Sequence, residues 1–76
     1  MQNEIENALW MMTADWALAQ GFTWEVENTI EVRKGGELIA DGEIEQVLPA
    51  LGLSYETDGD EIRLLRGSEV VSREGR

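Results

Sequence analysis

The chain has no cysteine and no histidine among its 76 residues, and a single proline. Each absence removes a class of chemistry. Without Cys there is no disulfide framework, no thiolate nucleophile and no Cys-ligated zinc. Without His the usual general base is missing, and so is the commonest metal ligand. Basic residues are also scarce. Six Lys and Arg stand against 16 Asp and Glu, for a formal charge of −10. Such a charge repels phosphate backbones and anionic lipid, which excludes direct nucleic-acid or membrane-surface binding as an expectation. No long apolar run is present either, since Ala8-Leu9-Trp10-Met11-Met12 is far too short to span a bilayer. The N-terminus opens with Gln2, Asn3, Glu4 and Glu6, where a secretory signal would place Lys or Arg. A cytoplasmic protein is the expectation.

What remains is globular in composition. The hydrophobic fraction of 42% and charged fraction of 29% suit a folded domain, and three Trp argue against disorder. The length allows one domain, residues 1–76. A chain this short buries only about 60% of its unfolded surface.

An internal repeat organises the sequence. Ala17 to Glu27 aligns without a gap with Leu48 to Asp58, placing Gly21 on Gly52, Phe22 on Leu53, Trp24 on Tyr55 and Glu25 on Glu56. After one inserted residue near Asp60, Thr29 to Ile39 falls on Glu61 to Val71. Ile30 then matches Ile62, Val32 matches Leu64 and Gly35 matches Gly67. Each half reads as a helix and three short strands, with repeat units 3–40 and 41–72 and a frayed tail 73–76. The predicted fold is a duplicated αβββ-αβββ arrangement of the α+β class, two helices packed on antiparallel β-meanders.

The first helix is expected from Asn3, as N-cap, to Gln20, with Gly21 ending it. Strands follow over Phe22 to Glu27, Thr29 to Arg33 and Glu37 to Ala40. Asp41 can cap a second helix running to Leu51, in which Ile44, Val47, Leu48 and Leu51 form a single stripe. Pro49 should kink or break that helix near Glu45 to Leu48, because it lacks a backbone donor. Further strands are expected over Leu53 to Thr57, Glu61 to Arg66 and Glu69 to Ser72.

Two features resist a simple two-layer domain. The first helix carries one apolar stripe of Ile5, Ala8, Leu9, Met12, Trp16 and Ala19, and a second of Trp10, Met11, Ala14, Ala17 and Leu18. A helix apolar all round is covered on both sides. It is therefore central to the core, a homodimer interface, or an anchor for a foreign partner. Leu38-Ile39 and Val70-Val71 likewise put apolar groups on both faces of their strands. That pattern favours a homodimer.

The residue types present do not assemble into an enzyme. Paired carboxylates can act as general acid and base, but only in a cleft that desolvates one of them. No nucleophile motif and no Gly-rich phosphate loop is present, so no catalytic residue is expected. Asp58-Gly59-Asp60-Glu61 resembles a fragment of a calcium loop, yet the other ligand positions are missing and Asp-Gly is a hairpin signal. Neither a metal nor a cofactor is expected.

The acids themselves are the remaining signal. Residues 1–62 carry 14 acids and two bases, while residues 63–76 carry four Arg against two acids. Glu25, Glu27 and Glu31 are predicted on one outward strand face, with Glu56, Asp58, Glu61 and Glu69 as approximate counterparts in the second half and Asp60 in the turn beside them. Asp41, Glu43 and Glu45 lie at the entry of the second helix. A rigid scaffold displaying carboxylates in rows can imitate duplex phosphates and occupy a Lys/Arg-lined groove. In size and charge the chain resembles phage and mobile-element inhibitors such as anti-CRISPR and anti-restriction proteins. That resemblance implies a protein partner with a basic groove, met in the host cytoplasm if the protein is phage-encoded. Two alternatives stand beside it. One is a homodimeric assembly module using Trp10, Met11, Ala14, Ala17 and Leu18, with the acids only solubilising. The other is an immunity protein or antitoxin.

Overall fold

Ile30, Val32, Ile62 and Leu64 occupy equivalent places in the two halves, and all four side chains are sealed from solvent. They sit on the central strands of two three-stranded antiparallel sheets. The computed structural model describes residues 4–75, in the order α1 (Glu4–Ala19), β1 (Thr23–Val26), β2 (Ile30–Lys34), β3 (Glu37–Gly42), α2 (Ile44–Ala50), β4 (Leu53–Asp58), β5 (Glu61–Arg66) and β6 (Glu69–Gly75). The fold is a duplicated αβββ arrangement of the α+β class. The expected N-cap, Asn3, lies outside the described residues.

The sheets remain separate, in the orders β1-β2-β3 and β4-β5-β6. The register breaks at the same aligned place in each. Between Val32 and Arg33 the β2–β3 ladder skips Ile39, and between Leu64 and Leu65 the β5–β6 ladder skips Val71. A bulge sets two residues against one and interrupts alternation. The breaks fall at the apolar pairs Leu38-Ile39 and Val70-Val71. Val71 packs on the core, whereas Leu38 and Ile39 are exposed.

One apolar cluster serves both sheets. It combines Ala8, Leu9 and Met12 of α1 with Ile44, Val47 and Leu48 of α2 and the paired strand residues. The layering crosses the repeat. Helix α1 packs on β5 and β6 of the second half as well as on β1, while α2 packs on its neighbours β3 and β4 and touches α1.

The core stripe of α1 is rotated from the expected one. Ala8, Leu9, Met12, Thr13 and Ala17 are buried, and Ala19 is exposed. Ala17 therefore belongs to the interior, and Trp10 is half-buried against the core, so neither forms part of a free second face. The helix closes as the glycine predicts. Gly21 adopts φ +90°, its N–H donates to the Leu18 carbonyl at 3.1 Å, and the Phe22 N–H reaches Ala17 at 3.0 Å. This is a Schellman termination, which needs a residue free to turn left-handed. Phe22 then stacks on Trp16 with ring centroids 6.1 Å apart, and the Lys34 ammonium lies 5.0 Å from the Phe22 centroid.

Three boundaries differ from expectation. Strand β3 runs on to Gly42, because Asp41 and Gly42 still find partners in Glu31 and Ile30. Asp41 is thus a strand residue, and Glu43 takes the N-cap position, its N–H donating to the Gln46 side-chain oxygen at 2.9 Å. Helix α2 continues unbroken through Pro49, which lies one residue from its end. The donor that proline lacks would have reached the carbonyl of Glu45, a residue exposed to water, so a single helix bond is lost. Strand β6 extends to Gly75, so residues 73–75 pair with β5 and do not fray.

Two stability measurements test this packing. The Thr13 hydroxyl is buried without a hydrogen-bond partner. Thr13→Val keeps the shape and removes the orphan, so chemical denaturation should show a gain of about 1 kcal/mol. Gly42 holds φ +119°, and an added Cβ would run into the Gln46 amide that caps α2. Gly42→Ala should cost about 1–3 kcal/mol in the same assay.

Candidate functional site: an acidic row on the first sheet

Alternation along β2 turns Ile30 and Val32 inward, which sends Glu31 to the outer face. Register carries the consequence across the sheet. Glu25 on β1 lies opposite Glu31, and Glu31 lies opposite Asp41 on β3. Three carboxylates therefore form one transverse row through all three strands. With strands about 4.8 Å apart, the row extends over about 10 Å. Glu27, just beyond β1, joins Glu25, Val26 and Glu31 around a shallow recess at one end of the row.

Like charges directly opposite each other in a sheet are destabilising. A single cation answers them here: Arg33 donates to Glu31 at 3.2 Å, with both side chains about two-fifths exposed. A pair so open to water is screened and contributes little.

The second sheet is built from aligned positions but carries the opposite charge logic. Arg63 stands where the first sheet has Glu31, flanked by Glu56 on β4 and Arg73 on β6. Its guanidinium donates to Glu56 at 2.9 Å, to Asp58 at 2.8 Å and to Glu61 at 2.6 Å. The hydrogen bonds it donates to Glu56, then to Asp58 and Glu61, raise its pKa above the ordinary arginine value. Glu56, Asp58 and Glu61 are consequently committed to an internal clamp. They do not form a second free row matching the first.

The other expected acids stand outside the first row. Asp60 is exposed in the turn between β4 and β5, Glu43 caps α2, and Glu45 is exposed on its first turn. Among the described residues, no group of three His, Cys, Asp or Glu is placed to hold a metal ion. No described helix is long and apolar enough to cross a membrane. Of the expected apolar site, Met11 and Leu18 are exposed to 63% and 56%, with half-buried Ala14 between them.

Sequence reasoning missed the Arg63 clamp, although a signal for it was present. A two-residue Gly59-Asp60 turn closes Asp58 on Glu61, and counting back from it sets Glu56 against Arg63. No comparable count fixes Glu25 against Glu31, because their strands are joined by the three residues 27–29.

If the row is an uncompensated cost, relieving it should stabilise the fold. Glu25→Gln should raise stability by about 0.2–1 kcal/mol at low ionic strength. The gain should shrink in concentrated salt, as denaturation at two ionic strengths would show. No protein-family model, curated protein or solved structure matches this chain.

Proposed function

We propose that the protein is a non-catalytic inhibitor whose acidic sheet face occupies a basic, nucleic-acid-binding site on a partner protein. One observation carries this reading: among the described residues, the row Glu25, Glu31 and Asp41 meets an arginine only at Glu31, whereas at the aligned position Arg63 binds Glu56, Asp58 and Glu61 together. A fold that can place Arg63 at one aligned position keeps a carboxylate at the other, against the cost of like charges side by side. Carboxylates spaced by the strand separation approach the charge density of a nucleic-acid strand, which carries one phosphate per about 3.4 Å of axis. The overall charge of −10 adds steering toward a cationic groove. This is the mode of action of DNA-mimicking anti-CRISPR and anti-restriction proteins. An immunity protein or antitoxin would use the same acidic chemistry on a basic toxin.

A second reading rests on Met11 and Leu18, whose exposure supports an assembly or homodimer face on α1. Competition separates the two. The protein should displace a fluorescent duplex from a basic nucleic-acid-binding effector, and displacement should weaken between about 50 and 200 mM salt. Reversal of Glu25, Glu31 and Asp41 to Lys should weaken it by about a hundredfold or more. Displacement that survived both the reversal and molar salt would sink the mimicry reading. Loss of partner binding or of a dimer in Met11→Glu/Leu18→Glu, with the triple reversal silent, would favour the α1 face.

A further inference from the structure

A second surface lies away from the acidic row, where α1, α2 and β4 meet. Ile5, Leu9, Ile44 and Leu48 line a recess of about 170 Å³, with Tyr55 of β4 on one side and Glu6 and Glu45 completing the lining. It continues past Leu48 and Tyr55 into a more open hollow lined by Pro49, Leu53 and Ser54. Tyr55 is 48% exposed, unusual for an aromatic at the position where the first half has the half-buried Trp24. In the first half that aromatic packs on the core, whereas here the ring stands beside an unfilled cleft.

We propose that this cleft is a docking site for a cationic segment of a partner protein that seats one bulky apolar side chain between α1 and α2. Size and charge decide the occupant. An apolar cavity of roughly 150 Å³ accepts a benzene-sized ring, so the recess suits a Phe or Leu side chain. Among the described residues, the charged ones lining the cleft are Glu6 and Glu45. Flanking Lys or Arg on the incoming segment would meet the exposed Glu45, while an acidic segment would be repelled. A second copy of this chain, itself at −10, is disfavoured for the same reason. An aromatic anchor in a central pocket with a charged rim is the arrangement that concentrates binding energy in few residues. The inference goes beyond the acidic-row reading, since it uses other residues and stands if that reading fails.

The test uses the full chain, isotope-labelled, titrated with a synthetic Lys-flanked peptide carrying one central Phe. Two control peptides replace the flanking Lys by Glu, or the Phe by Ser. Saturable amide shifts should centre on Ile5, Leu9, Ile44, Leu48 and Tyr55 with the first peptide and vanish with both controls. Tyr55→Ser and Glu45→Lys, both at exposed positions, should each weaken affinity by about tenfold. Leu38→Ser, an exposed apolar change outside the cleft, should leave it unchanged. The proposal is overturned by the absence of saturable binding, by equal binding of the Glu-flanked peptide, or by affinity indifferent to Tyr55→Ser. Shifts centred on Glu25, Glu31 and Asp41 would overturn it too, as would cleft shifts that depend on protein concentration alone, which would identify a second copy.

Discussion

Everything in this fold depends on one shared interior. Neither half of the repeat has enough apolar surface to close by itself, since a small domain buries little of what its unfolded chain exposes. The solution is a crossing. Helix α1 leaves its own half to lie on β5 and β6, and the fully buried Ile30, Val32, Ile62 and Leu64 face a common cluster with both helices. This accounts for the richness of α1 in large apolar residues. Trp10 and Ala17 look surplus on a helix covering one sheet, but not on a helix that touches both halves.

Once the interior faces are committed, the outer faces are free to diverge, and they have. The two sheets share their strand order and the place of their bulge. Yet the central outer position holds Glu31 in one and Arg63 in the other. In the second sheet a single guanidinium gathers three carboxylates, so each of them has a cationic partner although the cluster stays net negative. In the first sheet the carboxylates face one another across the ladder and project their field outward. The acid excess counted along the chain is therefore arranged in two ways, gathered around Arg63 in one sheet and aligned across the strands in the other.

Much of this was legible from residues alone. Gly21 and Gly52 marked both helix ends, because a left-handed closing residue is a local requirement. The alternation of Ile30 with Val32 and of Ile62 with Leu64 marked the inward positions of both central strands. Elsewhere local reasoning misled. Asp41 has the chemistry of a helix cap, but pairing with Glu31 keeps it in β3 and hands the cap to Glu43. The consecutive apolar residues of β3 and β6 coincide with a bulge, a break in alternation that periodicity alone does not locate.

The sequence by itself determined the α+β class, the duplicated αβββ order, the helix ends and the inward residues of the strands. These follow from periodicity and turn chemistry, which act over a few neighbouring residues. It also determined the total charge of −10. Only the tertiary structure decided which carboxylates stand together. Lateral neighbours in a sheet are set by register across loops and bulges, and Glu25, Glu31 and Asp41 become a row only when three strands align. The cleft beside Tyr55 arises in the same way, where α1 meets α2 and β4 from far away in the chain.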